Sequence, residues 1–486
     1  MLSTLPLEIL LLITSLLEKH NDILNLASCN HALHALLHHH AFTKLTLDSN
    51  NIHQQSRLAH TLALNSRCAQ AVRTLHFDQN HLSHAGVKPD DKLKYDRTII
   101  LPVLNSRFNI PASAVTQWEH DLTEELDPDA WTAVLLILVA DTVEDLGLEF
   151  HYLSFYVRKL VVRGLQQQQS LGGSNIKSSP KPVPLFPRLR KLNARWWDTE
   201  NGLPTSYVLP FFHLPSLRMF SGVMMTDGSP WDARDLRREL PPPRDGDYDD
   251  DDDDEENQGR VEEDTCGFSG VTHINLSYSN SEAGFPDLIR ACRGLVSFVY
   301  EHGSCGGYDE LAPSKVYTSL CDHKASLEEL AICYDRWSDG CGDDRPEFIG
   351  SLAEFVVLKK VRVLATDILV PDGDGGGWRM PMGILPPSLQ SLMLERFDMD
   401  VSYNAPFNAV VFMQRIKDLR GAVLAQCPDL MSLRVIIHER HERPQEDGWP
   451  LYSRTTGCAL GDRCAVELVG SVAEDVVFNE DHSLGY

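Results

Sequence analysis

The sequence predicts an α/β protein: three short N-terminal helices followed by an irregular solenoid whose repeats share a parallel sheet. Two observations predict it. A leucine-dense, helix-periodic stretch occupies about the first 45 residues. After it, an apolar-x-x-apolar-x-apolar triplet recurs from residue 42 to residue 435, settling beyond residue 271 into a step near 30.

The N-terminal helices come first. Pro6 suits a first helical position, where its missing N–H costs nothing. Glu8 follows in the first turn, where the helix dipole favours an acid. Ile9, Ile13, Leu16 and Leu17 recur at helical spacing, and Leu10 and Leu12 widen the apolar face. Asn21 or Asp22 can cap a second helix carrying Ile23, Leu24, Leu26 and Ala27; Leu33, Leu36 and Leu37 mark a third. Some 40 residues cannot hide this much apolar surface internally, so part of it should meet the rest of the chain or a partner.

This run resembles an F-box, a pattern of Leu-Pro-x-Glu-Ile/Leu, further apolar turns, an Asp-Leu-Leu-like second helix and a following Cys or Ser. The matching positions are Leu5, Pro6, Glu8, Ile9, Ile13, Leu17, Asp22, Ile23, Leu24, Leu26, Ala27 and Cys29. His31 and His34 stand where the family often has Arg, and Phe42 where it often has Trp. The resemblance implies docking onto a Skp-type adaptor, and through it a cullin–RING ubiquitin ligase. The adaptor-binding residues it implies are Leu5, Pro6, Ile9, Leu10, Ile13, Leu17, Ile23, Leu24, Leu26 and Ala27. An amphipathic helix with such anchors is a groove-binding element. The plainer reading is that these leucines form the core of a small helical cap.

The triplets are Phe42/Leu45/Leu47, Val72/Leu75/Phe77, Val143/Leu146/Leu148, Leu189/Leu192/Ala194, Leu214/Leu217/Met219, Val271/Ile274/Leu276, Leu295/Phe298/Tyr300, Leu327/Leu330/Ile332, Leu358/Val361/Val363, Leu389/Leu392/Leu394 and Leu430/Leu433/Val435. From 271 onward their starts at 271, 295, 327, 358, 389 and 430 are spaced by 24, 32, 31, 31 and 41. A period near 30 resembles the leucine-rich repeat, one short strand plus a return. Residues 315–320 and 348–355 are candidate return helices. Ile274, Leu276, Leu330, Ile332, Leu392 and Leu394 should point into the core, with Asn275, Ala331 and Met393 outward. Asn193, Arg195, Asn275, Ser277, Glu301, Arg362, Glu395 and Arg434 would face the concave surface, as would Phe220, Val299, Leu364 and Ile436. Those four apolar residues mean either a binding patch or a wrong register.

Disordered insertions are expected near 166–187, 228–266 and 371–387, which are rich in Gln, Ser, Gly, Pro or Asp. The organisation predicted is an F-box-like domain over 1–45, a leucine-rich-repeat-like substrate-binding region over 46–440, and a C-terminal extension over 441–486.

Charge and cysteine content narrow the function class. With 44 basic and 69 acidic residues the net charge is −25, which disfavours nucleic acid and anionic membrane as partners. Residues 245–264 hold 13 acids and one base, and a dispensable solvated loop is the expectation there. Eleven cysteines, an odd number without CxxC spacing, suggest reduced thiols in a cytoplasmic or nuclear protein. The apolar run 133–140 is far shorter than the ~20 residues that cross a bilayer.

No nucleotide-binding, hydrolase or metalloprotease motif occurs. Asp372 and Asp374 begin a calcium-loop-like stretch, but Gly383 stands where its bidentate acid belongs. His34 and His38 lie one turn apart, and His438, His441, Cys458 and Cys464 have no recognisable zinc spacing. The expectation is therefore no enzyme, metal or cofactor. The chain reads as the substrate receptor of a Skp–cullin–F-box-type ligase that binds a target protein of unknown identity. The alternative is an interaction scaffold without a ligase.

Overall fold

The computed structural model describes residues 5–17, 20–78, 93–107, 112–151, 155–172, 184–197, 202–227, 267–303, 313–334, 348–372, 377–395, 409–436, 455–458 and 465–469. The chain divides into two compact units. The first comprises 1–225, 229–271 and 291–293; the second comprises 226–228, 272–290 and 294–486.

Period-two alternation builds the sheet of the first unit. Strands β1 (Lys44–Asp48), β2 (Thr74–Asp78), β3 (Asp145–Phe150), β4 (Lys191–Trp196) and β6 (Met219–Val223) run parallel. The short strands β5 (Leu203–Pro204) and β7 (Met225–Thr226) pair separately. Leu45, Leu75, Leu146, Leu192 and Phe220 stand in one register line, and all five are buried. Helices occupy the returns: α4 (Ile52–Leu64), α5 (Ser66–Ala71), α6 (Arg97–Arg107), α7 (Ala112–Thr123), α8 (Pro128–Val139), α9 (Phe155–Gly172) and α10 (Thr205–Phe212). The apolar run in α8 makes a central helix, packed between α4 and α9 and buried from Ala130 to Ile137. Asp127 caps it by accepting the Asp129 N–H at 2.8 Å.

Three short helices precede β1: α1 (Leu7–Ser15), α2 (His20–Ser28) and α3 (His31–Leu37), then a 3₁₀ turn over His38–Phe42. Asn30 caps α3 through Leu33 N at 2.9 Å.

The second unit repeats the rule with less helix. Strands β8 (His273–Ser279), β9 (Ser297–His302), β10 (Glu329–Tyr334), β11 (Lys360–Leu364), β14 (Ser391–Glu395) and β15 (Ser432–Ile436) form a parallel ladder in chain order. Ile274, Phe298, Leu330, Val361, Leu392 and Leu433 occupy one register line, as the triplets predict. Its helices are α11 (Pro286–Ala291), α12 (Pro313–Leu320), α13 (Ala365–Ile368) and α14 (Ala409–Gln426).

Several expectations need correction. The fifth triplet is mis-registered: Phe220, not Met219, is the inward residue beside Leu192, and the next inward place is Gly222 beside Ala194. Ala331 lies on the outward row but is buried, because its methyl sits between the larger Val299 and Arg362. Residues 348–355 are not helical. Ile349, Leu352, Phe355 and Leu358 are buried at a spacing of three, and the Ile349 and Leu352 N–H groups donate to Asp367 and Ile384 of other segments.

The expected insertions also narrow. Helix α9 continues to Gly172, and Leu185 and Phe186 are buried, so only 173–183 of the first lies outside the described residues. The third contains a hairpin of β12 (Val370–Asp372) and β13 (Gly377–Arg379), followed by buried Ile384 and Leu385. Residues 228–266 lie outside the described residues. Within 441–486, β17 (Ala465–Val469) adds to β15 in parallel and β16 (Thr455–Cys458) pairs with it antiparallel.

Candidate functional site

Both units present a sheet face opposite their buried anchors, and this face is built from the residues between those anchors. In the first unit the middle row reads Thr46, His76, Gly147, Asn193 and Ser221. Gly147 is required here: a Cβ would stand 2.9 Å from the His76 ring, which lies across it. From that position His76 Nε2 meets Asp145 Oδ1 at 3.0 Å, Asn193 Nδ2 donates to the same oxygen at 3.0 Å, and Lys191 approaches at 3.8 Å. Burial pushes the Asp145 carboxyl up, but His76, Lys191 and Asn193 together outweigh it and hold the acid below its ordinary range. In the next row Arg195 pairs with Asp78 at 3.1 Å, and Ser49 Oγ donates to Glu149 at 2.5 Å.

A small cleft opens at the ends of β1–β3, lined among others by Ser49, Asp129, Glu149 and His151 over apolar walls. Asp129 accepts the N–H groups of Tyr156 and Val157 at the start of α9. Burial, reinforced by the Asp127 charge, pushes its carboxyl up to about 8.

The corresponding face of the second unit is mixed. Asn275, Val299, Ala331, Arg362, Met393 and Arg434 form its middle row, with Glu301 and Cys333 on the row above. Arg362 reaches diagonally to Glu395, Nε to Oε1 at 2.7 Å and Nη2 to Oε1 at 2.6 Å. Burial pushes the Cys333 thiol up to about 11, with Arg362 opposing and Glu395 and Glu301 adding, so it stays a thiol at neutral pH. The expected outward residues Asn275, Glu301, Arg362, Glu395 and Arg434 therefore share this face. Phe220 and Leu364 are buried rather than surface residues. Val299 stands beside Ala331.

The N-terminal helices supply a second surface. Leu10, Ala27, Leu33 and Leu37 form their core, with Leu5, Leu11, Leu26 and Leu36 packed on it. Leu10 and Ala27 thus lie inside the cluster, whereas Leu5, Ile13, Leu17, Ile23, Leu24 and Leu26 are partly exposed and Pro6 is exposed. The most exposed apolar side chains are Ile9 at 42%, Leu12 at 58% and Leu16 at 74%. Their spacing of three and four places them along one face of the α1 segment. Leu12 and Leu16 do not belong to the resemblance's matched positions; their signal is the i, i+3, i+7 relation to Ile9.

Two buried histidines were not legible as sites. His60 Nδ1 donates to Ser56 O at 2.7 Å, and Nε2 accepts the Asp96 N–H at 3.0 Å. His323 Nε2 donates to Ile289 O at 2.9 Å, and Nδ1 accepts the Leu295 N–H at 3.3 Å. Both are structural bridges. His34 and His38 stack at 4.7 Å, but no group of three metal-capable side chains occurs among the described residues. Asp374, His438, His441 and Cys464 lie outside those residues. No helix among the described residues is long and apolar enough to cross a membrane.

A family model described as a leucine-rich repeat domain matches twice, over residues 58–235 and 260–437, together well over half of the chain. No curated protein and no solved structure matches. Parallel strands in register, one per return, are the architecture this family builds, and its exposed sheet face suggests a protein-interaction scaffold. The chain belongs to the leucine-rich repeat domain family.

Proposed function

We propose that the chain is the substrate receptor of a Skp–cullin–F-box-type ubiquitin ligase. The N-terminal helices would dock the adaptor and the repeat sheet would hold a target protein. The observation supporting the docking half is the apolar row Ile9, Leu12 and Leu16, left exposed on helices whose own core is already filled by Leu10, Ala27, Leu33 and Leu37. Such a row, with Leu5, Pro6, Ile13 and Leu17 around it, has the anchor spacing of a helix that packs into a partner. The protein itself would do no covalent chemistry; it would raise the effective concentration of its target beside the ubiquitin-carrying enzyme.

Replacing Ile9, Leu12 and Leu16 with Ala tests this reading without touching the helical core. Co-purification with a Skp-type adaptor should be lost while the circular dichroism and melting curve stay unchanged. Unchanged co-purification removes the ligase reading and leaves an interaction scaffold.

A further inference from the structure

The strand-entry edge of the first unit's sheet carries an arginine row. Backbone N–H bonds run from Arg73 to Thr43, Glu144 to Arg73, Arg190 to Glu144 and Arg218 to Arg190, so these residues stand side by side on successive strands. Neighbours in such a row are ~4.8 Å apart. Arg73 is matched by Glu144 at 3.5 Å. Arg188 and Arg190 are exposed, and no ion pair among the described residues engages them. The equivalent row of the second unit is neutralised where Lys359 meets Glu328 at 2.8 Å.

The same edge holds the exit of the acidic segment. Arg293 Nε donates to Gly267 O at 2.8 Å, and Arg218 Nη1 lies 3.5 Å from Gly270 O. Residues 245–264, with 13 acids and one base, end three residues before Gly267. Five residues of chain, from Glu262 to Gly267, span at most about 17 Å. The tract is thus joined covalently, through a linker of this reach, to Gly267 on the same edge, and a short linker of this kind typically gives a millimolar-scale effective concentration.

We propose that this arginine row is a docking surface for an acidic peptide, and that its occupant is the chain's own segment 245–264. Charge complementarity supplies the attraction, and the anchored exit at Gly267 supplies the proximity. The contact is electrostatic, so it weakens as salt shortens the screening length from about 10 Å at 0.1 M.

The test uses a fluorescent peptide copying residues 245–264 and three full-length proteins, measured by anisotropy at low salt. These are the native chain, a chain whose thirteen acids in 245–264 are replaced by Asn or Gln, and that chain with added Arg188→Gln, Arg190→Gln and Arg293→Gln. The neutralised chain should bind the peptide at least tenfold tighter than the native chain. The arginine variants should lose at least tenfold of that gain, and 0.5 M salt should abolish it. Equal binding by native and neutralised chains would overturn the proposal, because the row would then be open to an acidic partner. Binding that survives the arginine substitutions would overturn it equally, by placing the site elsewhere.

Discussion

The register of β6 can be tested by two adjacent substitutions that give opposite results under the two possible alignments. The triplet pattern places Met219 inward; the structure places Phe220 inward, 1% exposed, and leaves Met219 45% exposed. Phe220 stands beside Leu192 in the ladder and meets Phe212 edge-on at 5.3 Å. Truncating a fully buried Phe to Ala typically costs about 3–5 kcal/mol, from lost burial and the cavity left behind. An aromatic pair of this geometry adds about 0.5–1.5 kcal/mol to the contact being removed. A half-exposed methionine with no such partner should cost about 0.5 kcal/mol or less. Urea unfolding followed by tryptophan fluorescence should therefore move far to lower midpoint for Phe220→Ala and barely at all for Met219→Ala. Equal shifts, or the larger shift for Met219→Ala, would refute the register.

Three further outcomes follow from the same geometry. His323→Ala leaves the Ile289 carbonyl and the Leu295 N–H without their buried partner, at a cost of about 1–3 kcal/mol for each group stranded; amide exchange should speed up around β9. The Asp145 carboxyl titrates lower in the folded chain than in the unfolded one, so its stabilisation is present above about pH 4 and fades as pH falls further; the stability gap between native protein and Asp145→Asn should shrink as pH drops below that value. At pH 8 a maleimide should label exposed Cys29 well before buried Cys333, which should react only on unfolding, and equal rates at the two would contradict the raised Cys333 pKa.

The sequence was most legible where every anchor carries a large side chain. Ile274, Leu330, Leu392 and Leu433 satisfy a rule of burial alone, and the ladder through them follows. Legibility failed where one anchor lacks that side chain. Gly222 takes the third inward place of its repeat, so the pattern slid back to Leu214/Leu217/Met219. Arg463 stands in the first anchor position before Val466 and Leu468, so β17 gave no triplet although it pairs with β15. At 348–355, apolar residues three apart mimicked a helix, but their N–H groups are satisfied by distant segments that local periodicity cannot reveal. The hairpin of β12 and β13 was hidden by Pro371 and the adjoining glycines, which locally signal loop. His60 and His323 are buried by partners elsewhere in the chain, and nothing in their immediate neighbourhood distinguishes them from surface histidines. On α1, helical spacing alone could not separate the inward Leu10 from the outward Leu12 and Leu16, because apolar residues occupy nearly every position.

The receptor reading turns on the first 45 residues, and a direct titration decides it. Purified full-length protein is titrated with a purified Skp-type adaptor by isothermal calorimetry, alongside a variant carrying Ile9→Asp, Leu12→Asp and Leu16→Asp. Anchors buried at an interface often contribute about 2 kcal/mol or more each, so losing even one weakens binding roughly thirtyfold. The account predicts a saturable one-to-one isotherm for the native chain and no measurable heat for the variant. No binding by the native chain, or equal binding by both proteins, would contradict it.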